Sequence, residues 1–136
     1  MKRILSTLLL LPCVLSAGTY FVGGENAADT NNGTRQNPWA TLKKATGQVK
    51  AGDTVIVAPG DYPEAVVIAG SGTADKPVVL RAEPARKAKV KSFRVNADYV
   101  TIEGFEITND ADKGFGVHCG EGYRENARIG CKVLNN

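Results

Sequence analysis

The sequence predicts an all-β parallel β-helix, a solenoid in which successive coils of chain stack on one another. The first observation is a repeated strand: Asp53 to Val57, Asp75 to Leu80 and Asp98 to Ile102 each pass from a polar entry into alternating β-branched residues. With a fourth copy at Ala127 to Ile129, the interval is about 22 to 27 residues, which is typical of solenoids. The second observation is that Gly, Asn, Asp and Pro separate strands rich in Val, Ile and Thr, which favours β-structure.

Other repeat architectures fit these residues less well. Leucine-rich repeats need a dense run of Leu with an Asn at a short fixed spacing, and helical repeats need a 3.6-residue periodicity in each copy. Neither pattern is present in the copies. A chance alignment of Val-rich strands is the alternative that remains open.

Alternation along the strands predicts which side chains face the interior. Val57, Leu80 and Ile102 are aligned as equivalents, and Ile129 occupies the same position in the fourth copy. The predicted inward set is Val55, Val57, Val78, Leu80, Val100, Ile102, Ile107, Ile129 and Leu134. One outward row is then Ala58, Arg81, Glu103 and Gly130, and the other is Ile56, Val79, Thr101 and Arg128. We therefore expect Arg81 and Glu103 on neighbouring coils, about 4.8 Å apart along the stack.

Residues 1–17 have the layout of a secretory signal peptide. Lys2 and Arg3 precede the apolar run Ile4 to Leu15, and the small residues Ser16 to Gly18 follow it. The run is too short to anchor the chain across a bilayer. Cleavage after residue 16 or 17 predicts a secreted or periplasmic protein without a membrane span. Lipidation of Cys13 is the alternative, although Pro12 stands where lipoprotein signals carry a small residue.

The charge balance argues against nucleic acid as a partner. The whole chain has a net charge of +3, and two of its cations lie in the predicted signal. The remaining domain, which we expect to be a monomer, is nearly neutral. A local basic cluster forms either a solvated turn or a surface for an acidic polymer. Its members are Arg81, Arg86, Lys87, Lys89, Lys91 and Arg94.

Removal of the signal leaves Cys119 and Cys131 as the remaining cysteines. An oxidising compartment permits a disulfide between them. Two unpaired thiols packed in the coils are the other interpretation, because free Cys is often buried.

A single amphipathic helix is predicted before the coils, over about residues 38–50. Asn37 is its expected cap and Pro38 its first residue, with Trp39 and Leu42 on the apolar face and Gly52 at its end. We expect this helix to cover the first coil of a domain that spans residues 18–136, with coils over about 53–136. The last coil has no such cover in the sequence, which predicts that the β-helix is incomplete and belongs to the amino-terminal part of a longer protein.

Several motifs point to one family. They include Thr19-Tyr20-Phe21-Val22, Asn37-Pro38-Trp39-Ala40-Thr41-Leu42-Lys43-Lys44-Ala45, Ala51-Gly52-Asp53-Thr54-Val55, Pro59-Gly60-Asp61-Tyr62 and Gly72-Thr73-Ala74-Asp75-Lys76-Pro77. These segments resemble the opening of secreted right-handed parallel β-helix proteins of the pectate-lyase-like superfamily. The resemblance implies a right-handed β-helix and a polysaccharide partner, which is acidic for the lyases of this family. Lyases that the chain resembles carry their catalytic residues on later coils, so the catalytic residues here are unknown.

Four residues are candidates for substrate binding: Arg81, Glu103, His118 and Arg128. Arg81 and Glu103 form either a charged pair that lines a sugar groove or a surface ion pair of little energetic value. His118 is a candidate general base, for which an exposed coil histidine is the alternative.

Asp110 and Asp112 bring two carboxylates into one turn and are candidate Ca²⁺ ligands. A polar turn without a metal is the alternative, since the other ligands of a recognised calcium loop are missing.

Two classes of function follow from these observations. The first is a secreted polysaccharide-active enzyme, with this chain as the amino-terminal part of a lyase-like protein. The second is a non-catalytic β-helix module for glycan binding or adhesion.

Overall fold

A computed structural model describes residues 16–109, 116–120 and 128–136. These ranges contain nine strands and one helix. The elements are β1 (Thr19–Val22), α1 (Leu42–Thr46), β2 (Thr54–Val57), β3 (Gly60–Ile68), β4 (Val78–Ala82), β5 (Ala88–Val95), β6 (Val100–Glu103), β7 (Glu106–Ile107), β8 (Val117–Cys119) and β9 (Lys132–Leu134). Within these ranges no helix is long and apolar enough to cross a membrane.

The strands form two parallel sheets. Sheet 1 has the order β1-β2-β4-β6-β9, and sheet 2 has the order β3-β5-β7 with β8 also paired to β5. From β2 to β7 successive strands alternate between the sheets, so each coil of chain contributes one strand to each sheet. This architecture is a parallel β-helix, and the predicted fold class is confirmed.

The interior is a ladder of apolar side chains that runs from coil to coil. Val55 pairs with Leu80, and Leu80 pairs with Ile102 on the next coil. All three are fully buried, as are Val57, Val78 and Val100, which confirms these six inward positions. The predicted pairing of Val57 with Leu80 is displaced by two residues, since Val57 lies opposite Ala82. A displacement of two keeps every side chain on its predicted face.

The repeat interval predicts the wrong position for the fourth copy of the strand. Ile102 pairs with Val133 and not with Ile129, whose side chain is 62% exposed. Ile129 lies in a turn, where its amide donates to Asp98 Oδ1 at 3.0 Å, so the strand starts only at Lys132.

Two other positions predicted to face the interior are not fully buried. Leu134 is exposed, and Ile107 is only partly buried against the core. In the first outward row, Ile56 and Leu134 stand where Ala58 and Gly130 were expected. In the second, Thr54 and Lys132 stand where Ile56 and Arg128 were expected.

The predicted helix is shorter than expected. α1 has five residues and begins after Thr41, whose Oγ1 accepts a hydrogen bond from the Lys44 amide at 3.1 Å. Before it, Trp39 is extended, because its amide donates to the Phe21 carbonyl and its carbonyl accepts from the Gly23 amide. The cap at Asn37, the range 38–50 and the end at Gly52 are therefore wrong. Leu42 and Ala45 are buried in the core, and a capping role for α1 over the first coil stays a prediction.

Asp29 holds the turn that leads into α1. Its carboxylate accepts from the Ala40 and Thr41 amides at 3.0 and 2.9 Å and from the Thr41 hydroxyl at 2.8 Å. Although burial alone raises the pKa of this carboxyl, these donors and Lys44 hold it below its ordinary value. Glu64 Oε2 accepts from the next amide, that of Leu42, at 3.1 Å, so the amides at the start of the helix have partners.

Trp39 joins the loop before α1 to the first coil. Its ring stacks on Tyr20 with centroids 5.0 Å apart, and its Nε1 donates to the Asn31 carbonyl at 2.9 Å. The residue is only 4% exposed. The loop of residues 23–38 is therefore fixed against β1.

Cys119 and Cys131 are joined by a disulfide, with Cα atoms 6.6 Å apart. The bond connects the end of β8 in sheet 2 to the residue before β9 in sheet 1. It ties together two short strands at the end of the described stack.

The interior ladder predicts different costs for the same substitution at two isoleucines. Ile102→Asn should lower the free energy of unfolding by about 4 kcal/mol or more, because it leaves a cavity and an unpaired amide in the core. Ile129→Asn should change it by less than about 0.5 kcal/mol, since that side chain is exposed. Urea denaturation followed by circular dichroism measures both. Equal losses in the two variants would contradict the observed register.

Candidate functional site

A row of outward side chains crosses sheet 1 from coil to coil. Phe21 pairs with Ile56, Ile56 with Arg81, Arg81 with Glu103, and Glu103 with Leu134. We call these five residues the outer row. Strand register places one residue from every coil in the row at the strand spacing of about 4.8 Å, which gives a flat face with both apolar and charged groups.

The charged part of the outer row is an ion pair. Arg81 Nε donates to Glu103 Oε2 at 2.9 Å, and Arg81 Nη1 lies 3.9 Å from Glu83 Oε1. The side chains of Arg81 and Glu103 are 44% and 27% exposed, so solvent screens the pair. Such a pair contributes about 0.2 to 1 kcal/mol to stability, and its groups stay accessible to a ligand.

Beside the apolar end of the outer row lies a cleft of about 510 Å³. The loop of residues 23–38 forms one wall, and the turn after β4 contributes to another. Phe21 and Ile56 give the cleft an apolar surface. Its polar lining consists of Glu25, Asn26, Arg35, Gln36 and Glu83.

Arg35 is the cation that the loop brings to this cleft. Its guanidinium lies over the Phe21 ring, 4.5 Å from the ring centroid. A cation–π contact of this kind contributes about 0.5 to 1 kcal/mol at an exposed site. Within the described ranges, no carboxylate lies within ion-pair distance of Arg35. The planar donors of Arg35 are thus held in place without an ion-pair partner from the part of the chain that the structure describes.

Backbone and side-chain hydrogen bonds explain why the loop keeps this shape. The Phe21 amide donates to the Gly33 carbonyl at 2.8 Å. Asn31 Nδ2 donates to the carbonyls of Asn26 and Pro38 at 2.8 and 2.9 Å. Gly33 cannot be replaced freely, because a Cβ there would lie 2.7 Å from the Trp39 ring and the residue has a φ of +77°.

The structure does not bring the four predicted binding residues into one site. Arg81 and Glu103 are neighbours on sheet 1, as expected. His118 lies in β8 of sheet 2, where it pairs with Arg94. Arg128 is partly buried in the segment before β9 and belongs to no strand. A binding role for each of them stays a prediction.

The candidate calcium ligands Asp110 and Asp112 lie outside the described residues. In the part of the chain that the structure describes, no group of three or more His, Cys, Asp or Glu residues has an arrangement that could hold a metal ion. The calcium hypothesis stays a prediction.

Sequence reasoning missed the cleft residues Phe21 and Arg35. Phe21 had a usable signal, since alternation with the buried Val22 places it on the outer face of β1. Arg35 had none, because a loop residue has no periodicity and its approach to Phe21 is a tertiary contact.

Several solved structures are similar to this chain in fold. A solved structure of a rhamnogalacturonan lyase is similar with a TM-score of 0.55 and 26% identity, over 65% of this chain and 28% of that one. The GH136 lacto-N-biosidase from Eubacterium ramulus shares the fold with a TM-score of 0.63 and 17% identity, over 88% of this chain and 26% of that one. A mutant of the PL6 family alginate lyase AlyGC shares it with a TM-score of 0.57 and 18% identity, over 69% and 14%.

Among curated proteins, the uncharacterized protein YwoF of Bacillus subtilis (strain 168) is 34% identical over 86 residues, which are 62% of this chain and 18% of YwoF. The chain thus spans less than a third of the length of each of these proteins. The family model described as the Pel9A-like, right-handed β-helix region matches residues 20–136, which is nearly the whole described stack. The chain therefore belongs to the Pel9A-like right-handed β-helix family.

Proposed function

We propose that this chain is the glycan-binding opening of a secreted polysaccharide-active β-helix protein, and that the whole protein is a polysaccharide lyase-like enzyme. The observation that carries the proposal is the cleft on sheet 1, where Arg35 is held over Phe21 without a carboxylate partner among the described residues. Family membership and the similarity to a rhamnogalacturonan lyase support it.

Arg35 gives the cleft one position for a sugar carboxylate, whereas Glu25 and Glu83 disfavour an anion elsewhere along the lining. The guanidinium of Arg35 matches a carboxylate in geometry as well as charge, and charge-assisted bonds of this kind are about twice as strong as neutral ones. Asn26 and Gln36 supply amide donors and acceptors for sugar hydroxyls. Ile56 supplies an apolar surface for a ring face. An acidic polysaccharide that contains uronate is therefore the proposed ligand.

The charges of the basic cluster do not act together at this site. Lys89 and Arg94 lie on strand β5 of sheet 2, whereas Arg81 belongs to sheet 1. Binding through the whole cluster would require a polymer that contacts both sheets. Among the described residues that line the cleft, Arg35 is the one cation, so we assign the carboxylate to it.

A non-catalytic module for glycan binding or adhesion is the second candidate function. The lining of the cleft supports recognition with or without chemistry, because binding a uronate requires no proton transfer. The two candidates predict the same binding and differ in the activity of a longer protein that contains this chain.

Binding of polygalacturonate oligosaccharides tests the cleft. We expect Arg35→Gln to weaken binding about tenfold, which corresponds to about 1.4 kcal/mol, because a charge-assisted bond to the uronate is lost. Arg94→Gln, which removes the same charge from sheet 2, should leave affinity within about twofold. Calorimetry at low and high salt measures both, and affinity should fall as salt rises. Equal weakening by the two variants, or salt-insensitive binding to a neutral glycan, would contradict this assignment.

Lyase activity separates the two candidate functions. Because the proposed catalytic coils follow this segment, the 136-residue chain should produce no unsaturated uronate ends from pectate, alginate or glycosaminoglycan, whereas a longer protein that contains it should produce them from one of these. Ultraviolet absorbance of the unsaturated product measures both. Turnover by the chain alone that is lost in His118→Ala or Arg128→Ala would contradict the placement of the active site, and a longer protein that binds without turnover would favour the non-catalytic module.

A further inference from the structure

Gly18 is fixed at the point where the chain enters β1. Its amide nitrogen donates to Asp53 Oδ1 at 2.8 Å, and its carbonyl accepts from the Thr54 amide at 2.8 Å. Both partners lie at the start of β2, so Gly18 extends the pairing of β1 with β2 by one residue. The position of the Gly18 nitrogen is thus set by the fold.

Asp53 is a buried carboxylate whose observed donors are neutral. It is 5% exposed, and its second oxygen accepts from the Lys50 amide at 2.8 Å. Among the described residues no cationic side chain forms an ion pair with it. Burial of a carboxylate costs free energy, which amide donors and an opposite charge can each offset.

The boundary of the predicted signal peptide falls beside this carboxylate. Hydrolysis of the bond between Ala17 and Gly18 consumes one water, leaves a carboxylate on Ala17 of the released peptide and converts the Gly18 nitrogen into an ammonium group. That nitrogen is the atom that already lies 2.8 Å from Asp53 Oδ1. The cleavage product would therefore place a positive charge at hydrogen-bond distance from a buried negative one.

We propose that the bond between Ala17 and Gly18 is a processing site and that the new amino terminus of Gly18 forms an ion pair with Asp53 that stabilises the first coil. The existing hydrogen bond has a charged acceptor and a neutral donor, and cleavage makes the donor cationic, so the attraction between opposite charges is added to the bond. Cleavage by a signal peptidase thereby makes the exported chain more stable than its precursor.

The surroundings of Gly18 suit a terminus without a side chain. A Cβ on Gly18 would lie 2.8 Å from the Tyr20 ring and 2.9 Å from its hydroxyl oxygen, so another residue at this position would require the Tyr20 side chain to move. A chain that begins one residue earlier or later would not present its ammonium group at the same point.

The first experiment identifies the mature terminus. The full chain with its own leader is produced in a secreting bacterial host, and intact mass together with amino-terminal sequencing gives the first residue. We expect Gly18. A mature chain that begins at another residue, including a lipidated Cys13, would overturn the proposal.

The second experiment measures the ion pair. Two forms released from a fusion protein are compared, one beginning at Gly18 and one at Ser16, in which the Gly18 amide stays neutral and the charge lies roughly 6 to 7 Å away along the chain. Urea denaturation at neutral pH should give the Gly18 form a folding equilibrium constant about tenfold larger. In Asp53→Asn the two forms should differ by less than about twofold, whereas in the control Asp61→Asn, on sheet 2, the tenfold difference should remain. Equal stabilities, or a difference that persists in Asp53→Asn, would overturn the proposal.

A pH series gives a second readout if Asp53→Asn does not fold. An α-amino group has an ordinary pKa of about 7.7 to 8.0, and pairing with Asp53 raises it in the folded state. The extra stability of the Gly18 form should be complete below about pH 7 and disappear as the pH rises through the raised pKa. Both forms contain the same titratable groups on the surrounding segments, so these groups cancel in the difference in unfolding free energy. The groups are Lys50, Lys76 and Tyr20. A difference that does not change between pH 6 and about 10 would contradict an ammonium ion pair.

Discussion

Contact between inward side chains of successive coils is the interaction on which the rest of this structure depends. Leu80 lies between Val55 of the coil before it and Ile102 of the coil after it, and all three are excluded from solvent. No coil can bury such a residue alone, since each contributes only one layer to the interior. The parallel hydrogen bonds of the two sheets and the apolar ladder therefore require the same register.

That register also determines the chemistry of the outer face. Because alternation sends every second residue outward, a fixed interior places Phe21, Ile56, Arg81 and Glu103 in one row. The loop of residues 23–38 then adds Arg35 above Phe21, and the stacked Trp39 and Tyr20 rings hold that loop against β1. The candidate site thus combines a strand face that repeats with each coil and a loop that occurs once, at the first coil.

The central strands of sheet 1 could be predicted from sequence because every second residue of β2, β4 and β6 is apolar and buried. Prediction failed where burial no longer selects one face. In β9, the outermost described strand of sheet 1, Val133 and Leu134 are 45% and 44% exposed, so apolar alternation carries no information about register there.

Prediction of the helix failed for another reason. Trp39 and Leu42 are both buried and are three residues apart, as on one face of a helix. Only Leu42 belongs to α1, however, because Trp39 is extended and forms a β-bridge with Val22. The cleft could not be predicted, since the position of Arg35 depends on tertiary hydrogen bonds of the loop.

The most direct test of the stacking account is nuclear magnetic resonance of a sample with labelled methyl groups on Ile, Leu and Val. Nuclear Overhauser contacts between methyl groups should join Leu80 to both Val55 and Ile102, and Ile102 to Val133, while the Ile129 methyl groups show no contact with Ile102. Contacts between Ile102 and Ile129, together with their absence between Leu80 and Ile102, would contradict the account.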